Sequence, residues 1–221
     1  MMTGVDTAAL IDWMHRFRDV IAEKREWLTE LDSAIGDADH GANMSRGMDA
    51  VIAKLASGAP DTVDELLKTV GMTLVSSVGG ASGPLYGTLF LRMGMAAGPV
   101  TELDPSALAA SLRAGLDGIV ARGKAEAGDK TMFDAMAPAV DALDEALAGG
   151  ADLGAATAAA AEAAASGRDA TEPLVARKGR ASYLGERSAG HLDPGAASTT
   201  LLFETLAQAT AQSAPQAAES S

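Results

Sequence analysis

The fold is organised around the twelve-residue stretch Asp32–Asn43, which reads DSAIGDADHGAN. Its three aspartates, Asp32, Asp37 and Asp39, fall between two segments whose apolar residues recur with helical spacing. Carboxylates that converge repel one another unless a cation lies among them, and oxygen ligands suit the hard cations Mg²⁺ and Ca²⁺. Two glycines would let the loop fold back on itself. The stretch therefore predicts a magnesium site, with phosphate as a second ligand.

Two other structures could produce this pattern. An EF-hand loop that starts at Asp37 fails, because its fifth position is Gly41 and its twelfth is Met48 rather than Glu. A solvated helix cap needs only one Asp or Asn, and the stretch also carries His40 and Asn43. The pattern therefore favours a metal site. Three roles stay open for His40: it could donate to a phosphate oxygen, accept a phosphoryl group as a nucleophile, or orient its neighbours in the loop.

The rest of the chain predicts an all-α fold of eight helices in a single domain. Apolar residues recur at steps of three and four with charges between them, no convincing β-type alternation occurs, and no linker divides the chain. Asp104-Pro105 supplies a cap followed by proline at a first helical position. The predicted helices cover residues 5–31, 44–56, 63–75, 85–97, 105–123, 133–147, 153–170 and 195–212.

Four connections are rich in glycine and charge: residues 32–43, 79–84, 123–132 and 173–195. Each follows an odd-numbered predicted helix, whereas the other connections resemble plain turns. In an antiparallel up-and-down arrangement, the connections after odd-numbered helices emerge at the same end. The sequence therefore predicts an eight-helix antiparallel up-and-down barrel or bundle with its functional site at one end.

Two of these connections could hold an anion. Gly79–Pro84 offers free N–H groups at a helix N-terminus, although it lacks the lysine and the glycine spacing of a Walker A loop and follows a helix rather than a strand. The segment 173–195 is rich in cations that could neutralise phosphates or dock an acidic partner. These cations are Arg177, Lys178, Arg180 and Arg187. A tight turn and a solvated charged loop are the simpler alternatives.

Composition excludes several classes of function. The formal net charge of −13 lacks the Lys/Arg excess that nucleic acids and anionic membranes require. The chain has no cysteine, which excludes disulfides, thiolate catalysis and Cys-based zinc sites and is compatible with a reducing compartment. No apolar run is long enough to span a membrane, and the N-terminal residues show no signal-peptide pattern. We expect a soluble, cytoplasmic protein that binds neither nucleic acid nor membranes.

Four motifs stand in order along nearly the whole chain. They are Gly36–Met44 (GDADHGANM), Gly79–Thr88 (GGASGPLYGT), Gly128–Asp134 (GDKTMFD) and Gly179–Ala196 (GRASYLGERSAGHLDPGA). Together they resemble the nucleotide-binding L subunits of bacterial dihydroxyacetone kinases. The alanine-rich seventh predicted helix and the C-terminal tail match that family only in character. Four long motifs in the right order make the resemblance specific.

The resemblance implies an eight-helix barrel that holds ADP or ATP at one end, in agreement with the arrangement of the loops. It implies that Asp32, Asp37 and Asp39 bind two Mg²⁺ ions that bridge the phosphates. It implies no catalytic residue beyond these metal ligands, because phosphoryl transfer needs mostly positioning and charge neutralisation. Residues 1–212 would form the ADP- and magnesium-binding domain and 213–221 a flexible tail. The positions that match nucleotide-lining residues are His40, Gly41, Ala42, Asn43, Ala81, Ser82, Gly123, Met132, Arg180, Asp193, Pro194 and Gly195.

Two mechanisms occur among the proteins that this chain resembles. In the phosphotransferase-system type, which belongs to glycerol metabolism, ADP stays bound as a coenzyme. A phosphohistidine-bearing M subunit phosphorylates it, and the γ-phosphate passes to dihydroxyacetone held on a histidine of the K subunit, giving dihydroxyacetone phosphate. In the ATP-dependent type, K-like and L-like domains share one chain and ATP exchanges freely. This chain carries the L-like part alone, which favours the first type, with K and M subunits as partners. The alternative is the nucleotide subunit of a separate two-chain, ATP-dependent kinase for dihydroxyacetone or a related ketose.

The sequence leaves the sugar and the oligomeric state open, a homodimer included. The alternative from another class of function is a non-catalytic protein. It would be an acidic helical module that binds a divalent ion and a partner protein. Such a module would not need several glycine-rich loops at one end. The sequence therefore favours the kinase subunit.

Overall fold

The fold is all-α, as the sequence predicts. The computed structural model describes residues 4–212, so the predicted flexible tail, residues 213–221, lies outside the described residues. Two very short strands, Val5–Asp6 and Glu102–Leu103, pair antiparallel. Within residues 4–212, no helix is long and apolar enough to cross a membrane. The α-helices are α1 (Thr7–Glu23), α2 (Arg25–Ile35), α3 (His40–Ala56), α4 (Val63–Ser77), α5 (Ser82–Ala97), α6 (Pro105–Gly123), α7 (Met132–Ala148), α8 (Leu153–Ala170) and α9 (Pro194–Gln212), and a 3₁₀ segment, Arg180–Ser188, precedes α9.

The predicted first helix is two helices in the structure, which corrects the expectation of one helix over residues 5–31. α1 ends at Glu23 and α2 begins at Arg25. Between them, Lys24 has φ −92° and ψ 9°, and its N–H bonds to two carbonyls in the last turn of α1. Apolar residues continue at helical spacing across this break, so their pattern could not reveal it.

The predicted loop 32–43 is also shorter in the structure. α2 continues to Ile35 and α3 begins at His40, so only residues 36–39 connect the two helices. Asp32 therefore lies in the last turn of α2, and the residues from His40 onwards lie in α3. Polar side chains at helix ends look like loop residues in a sequence, because caps and loops use the same residue types.

The helices form a closed series of neighbours. α1, α3, α4, α5, α6, α7, α8 and α9 each contact the next in that order, α9 contacts α1, and α2 lies against α3 and α9. Buried aromatic rings fill the centre, where the ring centroids of Trp13 and Phe90 lie 5.8 Å apart and those of Phe17 and Tyr86 lie 6.3 Å apart. The Trp13 indole N–H donates to the Leu202 carbonyl 3.0 Å away, which ties α1 to α9. The eight-helix antiparallel barrel stays a prediction, because neighbour relations do not fix the direction of each helix.

Glycine and alanine let the helices approach closely. A Cβ atom on Gly71 of α4 would lie 2.8 Å from the Gly87 carbonyl oxygen of α5, and one on Gly167 of α8 would overlap the Asp134 carbonyl oxygen of α7. The alanine-rich α8 buries one of its faces. Its fully buried alanines are Ala156, Ala160 and Ala164. Backbone therefore packs almost directly on backbone in these pairs, which holds the helix ends in fixed positions.

Gly71→Ala should lower the free energy of unfolding by about 1–3 kcal/mol, because the added methyl group must push α4 away from the backbone of α5. Urea denaturation measures this difference. Gly154→Ala is the matched control: its Cβ would meet Asp152 Oδ1 at 3.5 Å, an ordinary contact. Alanine favours a helix over glycine by up to about 1 kcal/mol, so this control should keep or gain stability. Equal losses for the two variants would contradict the close packing of α4 on α5.

Candidate functional site

A cavity of about 440 Å³ opens where the four glycine- and charge-rich connections meet. Its walls come from the connection between α2 and α3, the turn before α5, the connection between α6 and α7, and the segment before α9. Four helices, α3, α5, α7 and α9, have their first residue in its lining. The predicted site residues that line the cavity are Asp32, Asp37, Asp39, His40, Ala81, Ser82, Gly123, Met132, Arg180, Asp193, Pro194 and Gly195.

Three predicted nucleotide-lining residues are absent from this lining. Gly41 packs against α2, where a Cβ atom would overlap the Arg25 carbonyl oxygen. Ala42 faces a separate surface groove between α2 and α3. Asn43 is buried behind the turn before α5, and its Oδ1 accepts from Arg46 Nη2 at 2.6 Å. Of the three, only Asn43 lies directly behind a residue of the cavity lining, Gly79, and contact of all three with a nucleotide stays a prediction.

The carboxylates of Asp32, Asp37 and Asp39 converge on one side of the cavity. Each offers an oxygen, and these oxygens lie within 4.8 Å of one another. Asp32 is buried, Asp39 is half-buried and Asp37 is exposed. Oxygen donors at this spacing fit a hard divalent cation, which would neutralise them. The donor set therefore fits the predicted magnesium site, and the number of ions stays a prediction.

Hydrogen bonds within the connection between α2 and α3 bring these carboxylates together. The Gly36 N–H bonds to the Asp32 carbonyl, and Ala38 adopts the left-handed region with φ 61°. The backbone N–H groups of Asp39 and His40 then donate to Asp32 Oδ2 at 2.8 and 3.1 Å. Asp32 thereby caps the N-terminus of α3 from the preceding helix, as well as presenting an oxygen to the cluster.

Arg180 brings positive charge to the same carboxylates. Its Nη2 lies 3.1 Å from Asp37 Oδ2, and both side chains are substantially exposed. An exposed pair of this kind contributes little to stability, so the guanidinium is free to bind an anion instead. Of the other basic residues in segment 173–195, Lys178 lines the cavity, whereas Arg177 and Arg187 are not part of its lining.

His40 is buried, and both of its ring nitrogens have hydrogen-bond partners. Nδ1 lies 3.1 Å from Ser82 Oγ at the cavity, and Nε2 lies 2.9 Å from Ser198 Oγ in the interior. Ser198 Oγ is also 2.7 Å from the hydroxyl of Tyr86. Burial raises the pKa of this hydroxyl to about 12. Burial lowers the pKa of His40 despite two neighbouring aspartates, which favours the neutral form of the ring. Among the three roles left open for His40, these contacts favour orientation of its neighbours.

The turn before α5 presents backbone N–H groups to the cavity. Gly80 has φ 65°, a conformation that suits glycine, and α5 begins two residues later at Ser82. Arg46 holds Asn43 beneath this turn and also donates from Nε to the Ser77 carbonyl at 3.1 Å. The first N–H groups of a helix lack partners within the helix and favour anions. The turn therefore has the chemistry of a phosphate-binding site.

Asp193 caps α9 on the opposite wall. Its Oδ2 accepts the Ala196 N–H at 2.7 Å, and its own N–H donates to Thr171 Oγ1 at 3.0 Å. Burial raises the pKa of this carboxyl to about 7, against the hydrogen bond from Ala196. Met132 lies close by, because a Cβ atom on Gly195 would be 3.4 Å from its backbone nitrogen. The starts of α7 and α9 therefore touch at the cavity.

Sequence reasoning did not single out several residues that the structure places in or behind the site. Lys130 lines the cavity and stands within the motif Gly128–Asp134, and Tyr86 stands within the motif Gly79–Thr88, so both positions could have been noticed. Ser198 and Thr171 belong to no quoted motif, and their partners are distant in the chain. No local pattern could have identified them.

The raised pKa of Asp193 makes stability depend on pH. The folded chain holds this proton more tightly than the unfolded chain, where Asp titrates near about 3.9. Asp193 therefore favours folding fully below about pH 4, and this contribution is lost as the pH rises through about 7. The wild type should therefore lose stability relative to Asp193→Asn as the pH rises from about 4 to about 7. The difference between their free energies of unfolding should decrease by at most roughly 4 kcal/mol.

Urea denaturation at a series of pH values, without nucleotide or divalent cation, measures this difference. Asp152→Asn is the matched control, because it changes the corresponding cap of α8 at an exposed position, where Asp152 Oδ1 accepts the Ala155 N–H at 2.8 Å. A difference for Asp193→Asn that stays constant with pH would show that burial does not hold a proton on this carboxyl.

Comparison with known proteins identifies close relatives. Residues 34–208 match the DAK2 domain. The chain is 46% identical over 200 residues to the ADP-binding subunit of PEP-dependent dihydroxyacetone kinase from Escherichia coli (strain K12), covering 90% of this chain and 95% of that subunit. It is 45% identical over 210 residues to the ADP-binding subunit of PTS-dependent dihydroxyacetone kinase from Lactococcus lactis subsp. lactis (strain IL1403), covering 95% of this chain and 100% of that subunit.

A solved structure has the same fold. The crystal structure of the dihydroxyacetone kinase from C. freundii, in complex with AMP-PNP and Mg²⁺, has a TM-score of 0.70 over 94% of this chain, at 24% sequence identity. This chain corresponds to 35% of that kinase chain, and the likeness concerns the fold alone. The domain match and the identities along nearly whole subunits show that the chain belongs to the DAK2-domain family, together with the ADP-binding subunits of dihydroxyacetone kinases.

Proposed function

We propose that this chain is the ADP-binding subunit of a dihydroxyacetone kinase. The observation that carries the proposal is the identity with two such subunits over 95% and 100% of their lengths. The cavity supports it, because four connections supply the carboxylates, backbone N–H groups and guanidinium that a bound nucleotide needs. As part of the same proposal, the chain works in the cytoplasm, with which the absence of cysteine is compatible.

The polar side of the cavity would hold the phosphates. Asp32, Asp37 and Asp39 would bind the two Mg²⁺ ions, which neutralise the charge on the phosphate oxygens when bound. The N–H groups of the turn before α5 would donate to the same oxygens. Arg180 would exchange its contact with Asp37 for a phosphate once a cation shares that carboxylate.

The base would contact apolar residues of the lining. Leu85 of α5, Ile119 of α6 and Met132 of α7 are among them. Ligand sites commonly combine such an apolar lining with a few oriented polar groups. Residues 1–212 would thus act as one nucleotide-binding domain.

The chain would carry the phosphoryl group without forming a covalent bond to it. Bound ADP would accept the phosphoryl group from a phosphohistidine on the M subunit and pass it to dihydroxyacetone on the K subunit, giving dihydroxyacetone phosphate. The PEP- and PTS-dependent kinases among its relatives support this donor. His40 would orient Ser82, since both of its ring nitrogens are already hydrogen-bonded. Freely exchanging ATP is the alternative donor.

The purified protein should retain stoichiometric ADP together with Mg²⁺, because a coenzyme that is recharged in place has no need to dissociate. Mass spectrometry of the nucleotide released on denaturation measures this. A nucleotide-free preparation that gains no thermal stability from Mg-ADP would overturn the proposal, because ligands that bind only the folded state raise the melting temperature.

A second experiment identifies the phosphoryl donor: ATP is supplied with the K subunit and no phosphohistidine protein. Turnover should then cease, and sustained turnover would assign ATP as the donor.

Asp37→Asn should weaken Mg-ADP binding by about 10- to 100-fold, because it removes one charge from the carboxylate cluster. Isothermal titration calorimetry at fixed Mg²⁺ gives the dissociation constant. Asp61→Asn is the control, since Asp61 is exposed in the connection before α4 and does not line the cavity. If Asp37→Asn bound Mg-ADP as tightly as the control, the carboxylate cluster would not be the metal site.

A further inference from the structure

We propose that Lys130 is a positioning residue for the nucleotide site. Its buried ammonium group fixes the end of α8 and the residues before α9, so that Asp193 and Gly195 keep their places in the cavity wall. The inference rests on the proposed nucleotide function and deepens it, because it assigns a role to a residue that would hold the nucleotide's contacts in place.

Lys130 is buried although its side chain carries a charge. Its side chain is enclosed at 1% exposure, and its Nζ donates to the carbonyls of Thr171 at 2.7 Å, Glu172 at 3.2 Å and His191. A lysine ammonium has three N–H donors and no acceptor. The three carbonyls therefore satisfy it completely, and its bonds are directed at backbone rather than at a carboxylate.

These carbonyls belong to the two ends of the connection between α8 and α9, which contributes residues to the cavity lining. Thr171 and Glu172 follow the last residue of α8, and His191 stands two residues before Asp193. Two further hydrogen bonds join the same segments: the Asp193 N–H donates to Thr171 Oγ1 at 3.0 Å, and the Gly190 N–H donates to the Glu172 carbonyl at 2.8 Å. Lys130 lies at the centre of this network, and the network sets the position of Asp193.

The energetic cost of Lys130 argues against a role in packing alone. Burial lowers the pKa of its ammonium, which means that the environment penalises the charge. Its three N–H donors bind the backbone of two separate segments, which packing alone would not require. The backbone is also unfavourable, because φ is 63°, in the left-handed region that lysine rarely adopts. Two unfavourable features at one cavity residue indicate a positional constraint.

The effect reaches the nucleotide through the neighbouring helix starts. Thr131 caps α7 and Met132 is its first residue, so Lys130 is joined directly to one wall of the cavity. Gly195, the second residue of α9, lies close to the Met132 backbone. Lys130 therefore sets the spacing between the starts of α7 and α9. A displacement of about 1 Å in such a site is enough to lose much of its function.

Lys130→Met keeps an unbranched side chain that is one atom shorter, and it removes the three donors. It should raise the dissociation constant of Mg-ADP by about 10- to 100-fold, measured by calorimetry at a temperature where circular dichroism shows the variant folded. Thr157→Val is the matched control, because it removes a buried hydrogen bond of 2.7 Å between Thr157 Oγ1 and Thr210 Oγ1, which joins α8 and α9 away from the cavity. This control should lose stability and keep its affinity for Mg-ADP.

A chemical rescue separates the charge from the shape of the side chain. Because the chain has no cysteine, Lys130→Cys can be alkylated in denaturant with 2-bromoethylamine and refolded, which restores an ammonium group at this position. Alkylation with 1-bromopropane gives a neutral side chain of the same length. The aminoethyl form should recover most of the affinity for Mg-ADP and the propyl form should not, with the wild type carried through both treatments. Equal affinities for the two forms would overturn the proposal.

The outcomes distinguish this inference from the proposed function. A wild type that does not bind Mg-ADP would overturn the proposed function, whereas a wild type and a folded Lys130→Met that bind it equally would overturn only the positioning role.

If Lys130→Met does not fold, the variant Thr171→Val provides the test. That change removes the hydroxyl that holds the Asp193 N–H and keeps the carbonyl that Lys130 binds. Weaker Mg-ADP binding by this variant supports the network, and unchanged binding overturns it.

Discussion

One oxygen of the Asp32 carboxylate binds two backbone N–H groups at the start of α3, and the geometry of the carboxylate cluster depends on this contact. It closes the short connection after α2 and brings Asp37 and Asp39 beside Asp32. Carboxylates this close repel one another, and an exposed ion pair such as that between Arg180 and Asp37 offsets little of this repulsion. The start of α3 stabilises the charge on Asp32. A cation among the oxygens would neutralise the cluster further.

Helix starts explain how an acidic chain can accept a phosphate. The net charge of −13 opposes an anion, yet α3, α5, α7 and α9 all begin at the cavity, with His40, Ser82, Met132 and Pro194 as their first residues. The start of a helix carries about half a positive charge. Asp32, Thr131 and Asp193 cap α3, α7 and α9, whereas α5 has no side-chain cap. The cavity is therefore most positive at the start of α5 and negative at its carboxylates. A nucleotide phosphate with a divalent cation matches both parts.

The sequence predicts the helices and the meeting of the four connections because both follow from local signals. Apolar spacing and breakers such as Asp104-Pro105 act within a few residues, and that is the range over which a single sequence can be interpreted. The break at Lys24 escaped prediction because apolar spacing continues through it. The contact between His40 and Ser198 joins residues 158 positions apart, so only the folded chain shows it. For the same reason, the position of Asn43 against Gly79, behind the cavity wall, was not foreseen.

The alanine-rich face of α8 has a consequence for the rigidity of the site. Alanine has no side-chain rotamers to lose on burial, so Ala156, Ala160 and Ala164 become ordered without a cost in side-chain conformational entropy. The ordering of this helix between its neighbours thus costs backbone freedom alone, and its last turn leads directly to Thr171. The hydrogen bond between Thr171 and the Asp193 N–H joins this helix end to the wall opposite the carboxylates. The low cost of ordering α8 thus also lowers the cost of holding that wall, which would leave more of a nucleotide's contact energy to appear as affinity.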